Sequence, residues 1–180
     1  SVRDMVFPEA VQDFWCTEFG LLNRRHQAIA KAVKVVSETP ETISIWLKPN
    51  GNFQGVAPGQ HINMGVLVNG HLVNRSYSVS HVKGRYFRIT ARKIENGIAS
   101  SYLNAHAKKG LIVQLGDVYG DVTSAQFENK PALFLAGGIG ITPIIAMLES
   151  WAGRMRKQPV QLIYWGRSAQ DLAFVSRLKK

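Results

Sequence analysis

Asn74-Arg75-Ser76-Tyr77-Ser78-Val79-Ser80 ends a run of strand-like residues that begins at His71, directly after the dipeptide Asn69-Gly70. Asn-Gly between two such runs is the strongest short-range hairpin signal, because both residues tolerate the positive φ that a tight hairpin turn demands. Side chains alternate across a strand, so the pattern predicts Arg75, Tyr77 and Val79 on one face and Ser76, Ser78 and Ser80 on the other. Arg75 offers a rigid fork of donors for phosphate oxygens, and Tyr77 offers a flat ring for stacking. Together they suit a phosphorylated, aromatic cofactor. Taken alone, the segment reads better as an exposed Arg beside a half-buried Tyr, with serines bonding their own strand.

The hairpin sits within a series of short β-branched stretches. The predicted strands are 28–38, 42–48, 60–67, 71–80, 86–93 and 111–119. Pro49-Asn50-Gly51, Pro58-Gly59, Asn69-Gly70 and Lys83-Gly84 supply the turns. Even spacing of short strands argues for an antiparallel barrel or sandwich. One helix interrupts them, predicted over 99–108 and capped by Ser100 or a neighbour. After Pro131 the texture changes to two buried-looking strands, 132–136 and 160–165, flanking a helix with Thr142 as cap and Pro143 at its first position. That is one βαβ unit. A further helix is expected from about Ala169. Two strands are too few for a doubly wound sheet, so a longer protein is expected to continue past Lys180. Before the barrel, residues 1–27 lack the period-two alternation and read as a short helix or arm.

Two further segments carry chemistry. Arg92-Lys93 ends a strand and leads through Asn96-Gly97 to Ser100 and Ser101 at a helix start. There the free amides and the positive dipole end form an anion site. Ala136-Gly137-Gly138-Ile139-Gly140-Ile141-Thr142-Pro143 joins a strand to a helix, and its glycines let a pyrophosphate approach the helix start.

Of the 180 residues, 46% are hydrophobic, ample for a core. No apolar run is long enough to span a bilayer, and residues 1–10 carry no secretory pattern. The lone Cys16 excludes an internal disulfide framework or a thiolate metal site in this chain. A cytoplasmic location is the expectation. The five histidines make no metal-ligand pattern, so no metal site is expected, and no Gly-x-Ser-x-Gly elbow supports hydrolysis. The net charge of +10, from 22 Lys and Arg against 12 Asp and Glu, favours anionic partners without naming one.

Three motifs in one order decide among these possibilities. The chain resembles the ferredoxin-NADP reductase superfamily, whose flavin signature Arg-x-Tyr-Ser/Thr is matched by Arg75, Tyr77 and Ser78. Its Gly-x-x-Ser/Thr is matched by Gly97 and Ser100, and its Gly-Gly-x-Gly-x-Thr-Pro by Gly137, Gly138, Gly140, Thr142 and Pro143. The resemblance spans residues 28–180. It implies a β-barrel plus α/β fold: an antiparallel Greek-key flavin-binding barrel (28–128), followed by the start of a doubly wound nucleotide-binding domain (129–180). By the same resemblance Arg75 holds the flavin pyrophosphate, Tyr77 packs on the isoalloxazine, and Ser78 lies by the ring nitrogen that accepts hydride. Ser78 and Tyr77 are thus the candidate catalytic residues. Gly97 and Ser100 close over the diphosphate, with Ser76, Arg92, Lys93 and Ser101 as further cofactor contacts. Gly137, Gly138, Gly140, Thr142 and Arg167 meet the nicotinamide nucleotide, and Pro58-Gly59-Gln60-His61 is structural.

The implied activity is transfer of electrons from NAD(P)H through FAD to an iron-sulfur or haem acceptor, with FAD preferred to FMN on family prevalence. The hairpin before Arg75 resembles reductases that serve a desaturase or oxygenase. Their partner is a ferredoxin or their own iron-sulfur domain, here beyond residue 180. Two alternatives compete: a basic nucleic-acid-binding barrel, which leaves the Gly-rich βαβ unit without a purpose, and a flavin electron-transfer subunit that never oxidises NAD(P)H directly.

Overall fold

Alternation in two neighbouring strands explains most of the architecture. In Thr42-Ile43-Ser44-Ile45-Trp46-Leu47 and Phe87-Arg88-Ile89-Thr90-Ala91-Arg92, the odd-numbered residues are apolar and the even-numbered ones carry hydroxyls, Trp46 or guanidinium groups. The odd set turns into a barrel. The even set turns outward onto a second region. The computed structural model describes residues 27–152 and 158–178; the predicted arm at 1–26, with Cys16, lies outside them.

The barrel strands are β1 (Ile29–Thr39), β2 (Thr42–Pro49), β3 (His61–Val68), β4 (His71–Lys83), β5 (Tyr86–Arg92) and β6 (Ile112–Tyr119). They close in the order β1-β2-β5-β4-β3-β6, every pair antiparallel. All six predicted strands are present. The predicted hairpin forms too, with Val68 opposite His71 and Asn69 and Gly70 at φ 50° and 81°. Inside lie Ile45, Leu47, Ile62, Met64, Val66 and Ile89, each almost wholly buried. Each contributes about 1.5–3 kcal/mol of apolar burial. Helix α1 (Ile98–His106) adds Leu103 to the same core. Gln60 ties the loop ahead of β3 to the end of β6: its side-chain oxygen accepts from Ala57 N, and its Nε2 donates to Gly120 O.

The second region consists of β7 (Ala132–Gly137), α2 (Ile141–Trp151), β8 (Val160–Trp165) and a short α3 (Val175–Leu178). β7 and β8 pair in parallel, from Ala132 opposite Val160 to Gly137 opposite Trp165. Ile141, Ile144, Ile145, Met147 and Trp151 of α2 pack with Phe134, Ala136 and Phe174. Among the described residues, no helix is long and apolar enough to cross a membrane.

Four local expectations need correction. Ser100 does not cap α1; Gly97 does, without a side-chain bond. Thr142 and Pro143 lie inside α2, because Gly138–Gly140 form a 3-10 turn that runs straight into the helix and leaves Gly140 as cap. The α-helix expected from about Ala169 starts at Val175 instead. A 3-10 turn (Ala169–Asp171) precedes α3 there. Finally, among the described residues β7 and β8 are covered on one face only, with Leu133, Leu135, Ile163 and Trp165 more than half exposed on the other. An unbroken apolar run does not reveal how many faces of a strand are covered.

Candidate functional site

Strands β4 and β5 form one wall of a cleft of about 970 Å³, with Tyr77 and Ala91 reaching it from the barrel-core side, and the start of α2 forms the other. Ser76, Tyr77 and Ser78 of β4 line it with Thr90, Ala91 and Arg92 of β5. Lys93, Ile94 and Glu95 follow along the rim with Glu41. Ile139, Gly140, Thr142, Pro143 and Arg167 face them. The register slips between Val79 and His81, so Ser80 and His81 both bond on the α2 side while Val79 stays in the core.

Eight of the predicted residues therefore share one cleft: Ser76, Tyr77, Ser78, Arg92, Lys93, Gly140, Thr142 and Arg167. Tyr77 is half-buried, and burial raises its phenol pKa against the pull of Arg75. It stays a neutral flat ring with one hydroxyl at physiological pH. Arg92 points toward Glu41 at 3.7 Å and Asp171 at 3.9 Å, and Arg167 toward Asp171 at 3.8 Å. At these distances and exposures the pairs hold side chains in place more than they stabilise the fold.

Six predicted residues do not line the cleft. Arg75 is exposed and donates to the Asn74 carbonyl at 2.7 Å. Ser100 is committed to its own loop, accepting from Ile94 N at 3.2 Å and donating to Gly97 O at 3.4 Å. Ser101 is directed at Ile94 O at 3.5 Å. Gly97 has no room for a Cβ, which would meet the Ser100 hydroxyl at 2.5 Å. Gly137 is pressed against the Trp165 ring, and Gly138 adopts φ 50°, a conformation that favours glycine. Gly140 differs from both. A Cβ there would meet nothing within 4 Å, so its glycine leaves open space at the cleft mouth.

The arrangement fits a phosphorylated, ring-bearing cofactor. One wall has a flat phenol and hydroxyls, the rim has Arg92 and Lys93, and both α1 and α2 begin without a side-chain cap or an acidic residue in the first turn. Their leading amides have no acceptor within the helix. Among the described residues no cluster of His, Cys, Asp or Glu could hold a metal ion.

Sequence reasoning overlooked the cluster below the cleft. Arg88 is wholly buried, its Nε and Nη2 donating to Ser80, and its Nη2 also to Glu149 of α2 at 3.2 Å. His81 bonds the same Glu149 carboxylate. The available signal was a lone Arg between Phe87 and Ile89 in mid-strand.

The family described as "Oxidoreductase FAD-binding domain" matches residues 28–122. The chain is 34% identical over 158 residues to a flavohemoprotein of Burkholderia sp. (strain TH2), covering 86% of this chain and 39% of that one. It therefore spans about two fifths of the length of such relatives. The flavohem-like FAD/NAD-binding domain of a nitric oxide dioxygenase from Vibrio cholerae superposes with a TM-score of 0.74 at 28% identity, over 86% of this chain and 69% of that one. A ferredoxin NADP+ reductase from Neisseria gonorrhoeae, with bound FAD and NADP, gives 0.72 at 25% identity, over 85% and 63%.

Proposed function

Because the chain belongs to the FAD-binding oxidoreductase family, of the ferredoxin-NADP reductase type, we propose that it carries FAD in the cleft and uses it to oxidise NAD(P)H. The observation that carries this reading is that one cleft gathers Ser76, Tyr77 and Ser78 with the opposing Gly140, Thr142 and Arg167. When bound, FAD supplies the step from two-electron hydride chemistry to single electrons for an acceptor.

The chain's own part is to bind and align. Tyr77 stacks on the flavin ring, Ser78 donates near the reacting atom, and Ser76 serves the same edge. Arg75 would hold the pyrophosphate by exchanging its bond to the Asn74 carbonyl for one to phosphate, and the loop at Gly97, Ser100 and Ser101 would offer amides to the same group, with Ser100 holding the loop. Gly137 and Gly138 shape the turn that presents Gly140 and the head of α2 to the nucleotide. Arg92, Lys93 and Arg167 add positive charge. The barrel at 28–128 and the α/β part at 129–180 are proposed as flavin and nucleotide domains.

The acceptor is an iron-sulfur centre or a haem, within a ferredoxin, a further domain, or a desaturase or oxygenase component. Both kinds of acceptor have support, since the relatives include flavohemoproteins and a ferredoxin reductase by name. A cytoplasmic setting, with its supply of reduced nicotinamide, belongs to the same proposal.

The test uses the full-length protein. It should purify yellow, keep its flavin through gel filtration, and bleach when mixed with NADH or NADPH in stopped flow. A flavoprotein that neither nucleotide bleaches would be an electron-transfer subunit, and a colourless protein that retains oligonucleotide would be a nucleic-acid-binding barrel. Arg75→Ala should weaken flavin binding about ten- to hundredfold, matching the roughly 1.5–3 kcal/mol of a charge-assisted hydrogen bond. Tyr77→Ala should weaken it about three- to tenfold through lost stacking. Unchanged flavin affinity in both variants contradicts the assignment.

A further inference from the structure

We propose that Arg88 is a positioning residue for hydride transfer: it pins α2 to β4 below the cleft and so sets the gap between the cleft walls. This rests on the reading of the cleft as the meeting place of flavin and nicotinamide. Arg88 belongs to neither wall. Its guanidinium lies in the seam between the barrel and the α/β region, with none of the residue exposed. One edge is held by the barrel, where Nε donates to the Ser80 hydroxyl at 2.9 Å and Nη2 to the Ser80 carbonyl at 2.8 Å. The same Nη2 also donates to Glu149 of α2 at 3.2 Å. The guanidinium centre lies 5.5 Å from the Trp46 ring of β2 and 4.8 Å from the Phe174 ring of the α/β region.

Two features mark this seam as built rather than incidental. Phe174 sits at φ 65°, unfavourable for a bulky residue, and that backbone accompanies its contact with Arg88. The planar fork also satisfies two partners on one strand and a third on a helix at once, a geometry that the point charge of Lys cannot reproduce.

The seam connects directly to both walls. On β4, Ser78 lines the cleft and His81, three residues on, bonds Glu149. On α2, Thr142 and Pro143 line the cleft, and Glu149 lies about two helical turns further on. α2 is unbroken from Glu149 to the cleft, and β4 reaches the cleft past the register slip between Val79 and His81. A shift at Glu149 is therefore transmitted to the helix head that faces Ser78.

The test compares Arg88→Lys and Glu149→Gln with the parent, as full-length flavin-loaded protein. Both variants should keep flavin and its spectrum. Both should speed amide hydrogen exchange across α2 severalfold while leaving α1 unchanged. At saturating nucleotide both should bleach about ten- to hundredfold more slowly, the loss expected from a misplacement of about 1 Å, with little change in nucleotide affinity. Should Arg88→Lys fail to fold, Glu149→Gln carries both readouts from a partly exposed position. Exchange in α2 at the parent's rate, or faster exchange with the parent's bleaching rate, overturns the proposal. A parent that neither nucleotide bleaches, although dithionite does, sinks the nicotinamide reading instead, and the exchange measurement still decides whether Arg88 holds the seam.

Discussion

The barrel and the α/β region solve the same problem differently. The barrel joins its first and last strands through β1 and β6 and encloses its apolar residues on one side. The α/β region covers one face of a two-stranded sheet with α2 and leaves Leu133, Leu135, Ile163 and Trp165 exposed. Closure lets the barrel cover its own apolar face, whereas the described part of the α/β region has its core on one face of its sheet only.

The sharpest way to break this contrast is to truncate matched leucines. Leu47→Ala, in the barrel interior, should cost about 2–5 kcal/mol in urea unfolding, through lost burial and a residual cavity. Leu135→Ala, on the open sheet face, should change stability by less than about 0.5 kcal/mol. Equal losses would mean that the described sheet face is covered in solution.

A second comparison sharpens the seam. Burial alone would raise the Glu149 pKa, but the hydrogen bond from His81 and the charges of Arg88, His81 and Arg177 outweigh it and hold the carboxyl below its usual range. A lowered folded-state pKa gives stability that is complete above the unfolded value, about 4.3, and is lost as pH falls through the folded one. Acid should therefore loosen the α/β region while the barrel stays folded. Near-ultraviolet circular dichroism during acid titration would follow this, and Glu149→Gln should remove that part of the acid transition.

The smallest effect separates two glycines. Gly138→Ala meets the left-handed backbone and should cost about 1 kcal/mol in thermal unfolding. Gly140→Ala, at φ −61° with open space around it, should leave stability nearly unchanged while its methyl group intrudes on nucleotide binding. Equal nucleotide affinity in the two variants and the parent would remove Gly140 from the site.

How far the sequence foretold this structure depends on how local each signal is. The barrel strands were readable because period-two alternation and Asn69-Gly70 act over a few residues. The cleft was readable in part, since Tyr77, Ser78 and Thr142 belong to short motifs that share one opening. Arg88 was not readable. An Arg on the outward face of a strand looks solvated until another region packs over it, and that packing joins residues 61 positions apart. The cap of α2 was misplaced for a smaller reason: two of the three glycines are spent on a 3-10 turn, which shifts the helix start ahead of Thr142. The exposed face of β7 and β8 was missed because apolar strands look alike whether one side or both are covered.

The hydroxyl chain on the barrel's outer wall has one more consequence. Ser44 meets Thr90 at 2.9 Å and Thr90 meets Ser80 at 2.8 Å, all buried beside Arg88. Water can replace every one of these bonds, unlike the contacts of an apolar joint. The junction is thus part polar and part apolar: its hydroxyls would hydrate if the α/β region lifted away, whereas the Trp46 and Phe174 rings beside Arg88 favour its return.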